Sequence, residues 1–194
     1  ALHSLNTFIN LLMFKFEILH QSKKSRARVG RIHTPHGIIE TPNFVPVATN
    51  ACVKMVDSSI VNQLNVQLMF CNTYHLLLHP GPDVVKQAGG LHSFMQRKGP
   101  LITDSGGFQV FSLAYGSVKE ELKSSGTKKQ DGSVIKINEE GVLFRSYRDG
   151  APVLLTPESS VQAQKALGAD IIVPFDELPP YHTDPRALKK SFER

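Results

Sequence analysis

The amino-acid sequence predicts an α/β fold of parallel strands joined by right-handed crossovers, preceded by an antiparallel β segment. Three observations carry that prediction. A unit of apolar strand, polar C-terminal tip, helix and next strand recurs from residue 41 onward. The tips hold Asn72-Thr73, Asp104-Ser105 and Asp176-Glu177, so polar residues collect at strand ends, where parallel α/β folds gather their ligands. Before residue 41 the pattern is different, with short extended pieces punctuated by Gly30, Pro35 and Gly37.

In chain order, Phe14, Phe16 and Ile18 alternate with Lys15 and Glu17, the period of a half-buried strand. Gln21 to Arg28 is a polar connection, and its basic run, Lys23, Lys24, Arg26, Arg28 and on to Arg31, suits either phosphate contacts or a solvated hairpin loop. Asn43 to Ala48 is the first apolar run of the α/β part. Asp57 can cap a helix over Ser58 to Leu64, and Val66 to Cys71 is the second apolar run. The Pro80-Gly81-Pro82 corner leads into a helix over Asp83 to Gln87 that Gly89-Gly90 closes; Leu101 to Thr103 is the third strand. Thr156-Pro157-Glu158 is a helix start with a hydroxyl cap, proline in the first turn and an acid beside it, and Gly168 ends that helix. Asp170 to Phe175 is the fourth strand, and Pro185 begins another helix.

Between the third strand and the helix at Pro157 lies an insertion spanning about 116–155. Its charged, turn-rich first part, 119–140, predicts an exposed mobile loop. Its second part predicts a hairpin, with Gly141 to Tyr147 and Pro152 to Leu155 flanking Asp149-Gly150. Residues 1–12 are apolar but lack a basic leader and a small-residue cleavage site, so they read as a non-native or upstream extension before Met13 rather than a secretory signal.

Composition narrows the function classes. Of 194 residues, 41% are apolar and 20% charged, the balance of a soluble globular domain, and the net charge of +5 favours an anionic partner. Two cysteines, Cys52 and Cys71, write neither a zinc ribbon nor a disulfide framework; they read as small buried apolar residues in a reducing cytoplasm. The sequence has no apolar run of membrane-spanning length, about 18 residues or more. His75 and His79 have the i, i+4 spacing of two helical metal ligands, but no acid of the usual pattern lies between them and Pro80 cuts the helix short, so no metal is expected there.

The richest stretch is Pro100 to Leu113. There an apolar strand delivers Asp104 to a turn at Ser105-Gly106-Gly107, followed by the flat face of Phe108 and the amide of Gln109. Neighbouring strands sit about 4.8 Å apart, so pairing of the third and fourth strands would bring Asp104 and Asp176 to one pocket with separate acid and base duties. Asn72 is placed to hydrogen-bond and orient a carboxylate from the next strand, unless it merely ties down a loop. Phe108 is either core or a stacking surface for a planar base. Paired acids on such a rim suit glycoside or N-glycoside chemistry, and the aromatic with the positive charge points to a base in a nucleic acid.

Five motifs carry a family resemblance: Cys71 to Gly81 (CNTYHLLLHPG), Gly89 to Met95 (GGLHSFM), Thr103 to Leu113 (TDSGGFQVFSL), Leu155 to Ile171 (LTPESSVQAQKALGADI) and Phe175 to Tyr181 (FDELPPY). From about Phe14 onward the chain resembles tRNA-guanine transglycosylase, also called queuine tRNA-ribosyltransferase. The resemblance implies a TIM (β/α)8 barrel, of which residues 13–194 would be the N-terminal portion: an antiparallel prelude at 13–40 and the first four βα units at 41–194. A whole barrel of this kind runs to about 250 residues, so the chain is expected to be truncated, and unstable and inactive when isolated.

The resemblance further implies exchange of guanine at the wobble position of tRNA with a GUN anticodon for a 7-deazaguanine, by double displacement. Asp104 would be the general acid/base beside the base, with Ser105 in the same pocket and Asn72 beside Asp104. Phe108 would stack on the base where many bacterial members have tyrosine, and Asp176 would read its pyrimidine edge. Leu178 stands where many bacterial members have cysteine, which leaves preQ1 and queuine both open. The nucleophilic aspartate and a structural zinc site of three cysteines and a histidine are expected beyond residue 194, so this chain would bind no zinc itself; the full-length form could be a homodimer, and no membrane is implied. Two other classes stay in view: a non-catalytic tRNA-binding or partner subunit of the same family, against which the intact acids speak, and an O-glycoside hydrolase, for which sugar-stacking tryptophan is expected and none occurs.

Overall fold

The computed structural model describes residues 14–110, 134–179 and 183–193. Residues 1–12, and most of the stretch predicted as a mobile loop, lie outside them.

Three strands open the chain: β1 (Lys15–Gln21), β2 (Arg28–Thr34) and β3 (Gly37–Thr41), an antiparallel sheet in that order. The alternation in β1 does not bury a face; Phe14, Phe16 and Ile18 are all exposed among the described residues. Phe16 lies instead against Gly30, where any Cβ would come within 2.8 Å of its ring, and the Arg28 guanidinium carbon sits 5.5 Å from the ring centroid. Arg31 pairs with Glu40 at 2.9 Å, so two members of the basic run are engaged by the sheet itself.

The second sheet is parallel, with β4 (Met69–Cys71) pairing β5 (Leu101–Thr103) and β5 pairing β9 (Ile171–Ile172). This is the predicted α/β arrangement of consecutive βα units. Two predicted strands shrink. Asn43 to Ala48 contributes a single parallel bridge, Val47 to Phe70, because Pro46 has no amide to donate and only Ala48 N and Pro46 O complete the pairing. The fourth run, predicted as Asp170 to Phe175, is a strand for Ile171 and Ile172 alone, and Pro174 interrupts the remainder of the apolar run.

Helices cover this sheet. α1 (Ser58–Gln63) starts at Asp57, whose carboxylate accepts from Ser59 N as the sequence predicts. α2 (Thr73–Leu78) is a helix where the sequence suggested only a polar tip, followed by α3 (Pro82–Gln87) and the unpredicted α4 (Gly90–Phe94). α5 (Pro157–Leu167) has the expected start: Thr156 accepts from Ser159 N, Ser159 accepts from Thr156 N, and Gly168 at φ 74° ends it. Its buried face is Ser160, Ala163, Gln164 and Leu167, the i, i+3, i+4, i+7 stripe. α6 (Pro185–Glu193) closes the described residues.

The main core lies between this sheet and its helices, where Cys71, Leu76, Val85, Leu91, Leu101 and Leu167 are all fully buried. Each large aliphatic side chain among them contributes about 1.5–3 kcal/mol. Burial pushes the Cys71 thiol up to about 12, as suits a core residue, whereas Cys52 is exposed, contrary to expectation.

The insertion forms a third sheet, antiparallel, of β6 (Val134–Asn138), β7 (Gly141–Arg145) and β8 (Pro152–Leu155). The β7–β8 hairpin is as predicted. The last part of the supposed loop is not a loop: residues 134–138 pair with β7 and bury Val134 beside Phe144, Val142, Leu155 and Tyr74.

Candidate active site

Asp104 leaves the end of β5 and meets the start of α2. Its Oδ1 accepts from Thr73 N at 2.6 Å and its Oδ2 from Asn72 Nδ2 at 2.7 Å. Thr73 Oγ1 donates back to the Asp104 carbonyl at 2.5 Å. Asn72, at the cap position of α2, makes no cap bond with its own side chain; the Asp104 carboxylate takes the first helical N–H in its place. Asn72 and Thr73 are buried, so the carboxylate is aimed by two donors that have no freedom to turn away.

Ser105 turns inward at 2% exposure and donates to Asp176 Oδ1 at 2.8 Å while accepting from Gly107 N at 3.1 Å. The turn depends on its glycines. Gly106 sits at φ 84° against the Tyr74 amide, and a Cβ at Gly107 would lie 2.6 Å from the Asp176 carbonyl. Asn72, Asp104, Ser105 and Asp176 therefore form one array, in which the two acids are joined through Ser105 rather than by a direct hydrogen bond. Phe108 stands half-exposed outside both core clusters. Gln109 Oε1 is buried with no hydrogen-bond partner among the described residues.

A cleft of about 780 Å³ reaches Asp176, Gly107, Phe175 and Leu178 and is walled by Val142 and Phe192; Asp104 does not line it. His75 Nδ1 faces the Tyr147 hydroxyl at 3.3 Å, and His79 terminates α2. Burial lowers the His75 pKa against the pull of Asp104. Burial, with a contribution from Tyr147, pushes the Tyr74 hydroxyl up to about 12.

The family model for queuine tRNA-ribosyltransferase matches residues 22–194. The chain belongs to the queuine tRNA-ribosyltransferase family. It is 74% identical to the queuine tRNA-ribosyltransferase of Protochlamydia amoebophila over 181 residues, covering 93% of this chain and 47% of that protein. It is 63% identical to that of Chlamydia muridarum and 60% identical to that of Chlamydia caviae, in each case over 94% of this chain and 48% of the relative. The chain thus spans about half the length of the curated relatives it matches.

Two sets of polar residues escaped the reading of the sequence. One is Ser160 with Gln164, both fully buried behind the strand tips. Ser160 and Gln164 are an i, i+4 polar pair on a helix face otherwise made of Ala163 and Leu167, which is the signal that could have found them. The other is a His36, His92 and Asp170 cluster whose ligand atoms lie within 4.8 Å of one another, a set able to coordinate a metal ion. Asp170 Oδ1 faces His36 Nδ1 at 2.7 Å and accepts from His36 N; Oδ2 faces His92 Nε2 at 3.1 Å and accepts from Leu101 N. The two imidazoles stack at 3.5 Å with planes 15° apart. An ion lies in the plane of each ring that binds it, so one ring would have to turn before both could ligate. As arranged, the cluster clasps the N-terminal ends of β5 and β9 to the β2–β3 turn.

Proposed function

We propose that residues 13–194 provide the N-terminal part of a tRNA-guanine transglycosylase barrel, acting in the cytoplasm on tRNA with a GUN anticodon. The reaction is replacement of the wobble guanine by a 7-deazaguanine, preQ1 or queuine, in queuosine modification. The observation that carries this reading is the pair of carboxylates at adjacent parallel strand tips, one oriented by Asn72 and Thr73 and the other tied to Ser105. Among the described residues no helix is long and apolar enough to cross a membrane.

The chemistry is a double displacement at the ribose C1′. A nucleophilic aspartate, assigned to no residue of this chain, attacks C1′, and the bond from C1′ to the guanine nitrogen breaks with its electron pair going to the base. Asp104, protonated, gives its proton to the departing guanine. As a carboxylate it then takes the ring N–H proton of the incoming base, whose freed electron pair attacks C1′ and displaces the enzyme carboxylate. Asp104 ends as it began. Asp176 accepts hydrogen bonds from the pyrimidine edge of the base, with Ser105 holding one of its oxygens, and Phe108 offers the stacking face. A zinc site of three thiolates and an imidazole does not fit this chain, which has two cysteines, one exposed and one buried, and no step passes through a metal.

Radiolabelled guanine exchange into tRNA bearing a GUN anticodon tests the reading, using the full reading frame that carries this chain. Exchange that the Asp104→Asn variant loses supports it. Binding of the tRNA without exchange would favour the non-catalytic subunit instead.

A further inference from the structure

The ladder between β5 and β9 contains only two registered pairs, Ile102 with Ile171 and Thr103 with Ile172. Beyond it the two chains continue to Asp104 and Asp176 without a strand to hold them together. Gln164 takes over at that point. Its Oε1 accepts from Thr103 Oγ1 and from Val173 N, each at 3.0 Å, and its Nε2 donates to the Val173 carbonyl at 2.9 Å and to Ser160 Oγ at 3.3 Å. Both lone pairs and both N–H groups of the amide are used, and the Val173 N–H and C=O fix which end is which. One turn earlier, Ser160 Oγ donates to the Ser105 carbonyl at 2.7 Å.

The carboxamide thus pairs with the Val173 backbone as a neighbouring peptide unit would, just before Pro174, which cannot donate. It grips β5 at Thr103, the residue before Asp104, and through Ser160 the residue after it. Gln164 is fully buried, so water offers no substitute for any of these bonds.

We propose that Gln164 is a positioning residue that sets the spacing between the two strand tips, and so the distance at which Asp176 meets a base already placed against Asp104. This rests on the function proposed above. Gln164→Glu is the informative substitution, because a neutral glutamic acid keeps one donor and one acceptor in almost the same shape, whereas a glutamate presents oxygen to the Val173 carbonyl and repels it. Burial raises the pKa of such a carboxyl. The neutral form therefore prevails at low pH, and positioning is lost as pH rises through the raised pKa. The groups that face this side chain are Thr103 on β5, Ser160 on α5 and the main chain of Val173, none of which titrates. A carboxylate at either strand tip acts in the same direction, disfavouring a further negative charge. His75, Asp83, Lys86 and His92, on the helices packed against α5, make no hydrogen bond to Gln164, whose amide is filled by Thr103, Ser160 and Val173.

The test is guanine exchange by the full reading frame, unsubstituted and as Gln164→Glu and Gln164→Leu, with KM for guanine and kcat measured from about pH 6 to about pH 9 and scaled to the folded fraction. The expected result for Gln164→Glu is a KM for guanine raised about tenfold at the alkaline end, returning toward the unsubstituted value at the acid end, with kcat changed less. Gln164→Leu, if it folds, raises KM at every pH. A KM for guanine in folded Gln164→Glu that matches the unsubstituted protein at every pH overturns the inference alone. Absence of exchange by the unsubstituted protein overturns the functional reading and takes this inference with it.

Discussion

The tips of β5 and β9 carry one carboxylate each and are held in opposite ways. Asp104 is gripped directly, with one oxygen on a helix N–H, the other on a buried amide, and its own carbonyl bonded to Thr73. Asp176 is exposed, and of its carboxylate the Ser105 hydroxyl holds one oxygen at 2.8 Å. The firm tip suits a group that must move a proton along one direction. The lighter one suits a group that closes on the edge of a ligand, with its placement delegated to buried partners at Ser105 and Gln164. The lesson is that two chemically identical side chains are made to differ by what lies behind them.

The largest expected effect breaks the firm tip. Asp104→Asn keeps the shape, loses the titrating group and turns an amide N–H onto one of the two buried donors, so guanine exchange by the full reading frame, scaled to folded protein, should fall by about 100-fold or more, with a lowered melting temperature. An exchange rate within a few-fold of the unsubstituted enzyme would remove Asp104 from proton transfer.

A second prediction concerns the opposite end of the lighter strand, where Asp170 clasps His36, His92 and the Leu101 amide. Burial alone would raise its pKa, but hydrogen bonds from His92, His36 and Leu101 N outweigh that and bring it down to about 2. Its folded value is below its unfolded value of about 3.9, so the contribution, about 2–3 kcal/mol, is complete above that value and lost as pH falls toward the folded one. Denaturant melts of Asp170→Asn should therefore show the full deficit at neutral pH and about half of it near pH 3. An equal deficit at both pH values would mean that packing, not charge, makes the clasp.

How far these tips could be read from residues alone obeys the same division. Asn72, Asp104, Ser105 and Asp176 were legible because strand ends, a double glycine and a polar cluster are local patterns, and β4 and β5 were legible as apolar runs. The caps at Asp57 and Thr156 were legible for the same reason. What sequence could not show is where a strand stops pairing. Val173 to Phe175 is apolar enough to read as strand, yet the main chain of Val173 is satisfied by Gln164, a side chain from the preceding helix. The clasp at Asp170 joins residues 134 positions apart, a distance no local pattern spans. The strand at Val134–Asn138 was missed because it comes after a charged, turn-rich stretch that masks its alternation.

A smaller effect sharpens the comparison at the lighter tip. Ser105→Ala removes the hydroxyl on Asp176 and leaves Asp104 with both of its donors. The expected outcome is a KM for guanine raised about tenfold with kcat nearly unchanged, since only ground-state placement of the base is lost. An equal fall in kcat would show that the two tips are not independent.

The smallest effect separates positioning from stability. Thr156 caps α5, the helix that presents Ser160 and Gln164 to both tips, and Thr156→Ala should cost about 1 kcal/mol by leaving the Ser159 amide without its acceptor. The cap lies one turn before Ser160, and Pro157 still presets the first helical residue. Fraying should therefore stay within that turn, lowering the denaturation midpoint while the KM for guanine, scaled to folded protein, remains unchanged. If KM rises along with the loss of stability, any weakening of α5 disturbs the base, and Gln164 acts only as one more stabilising contact. If KM holds while Gln164→Glu raises it, the spacing of the tips resides in the amide itself.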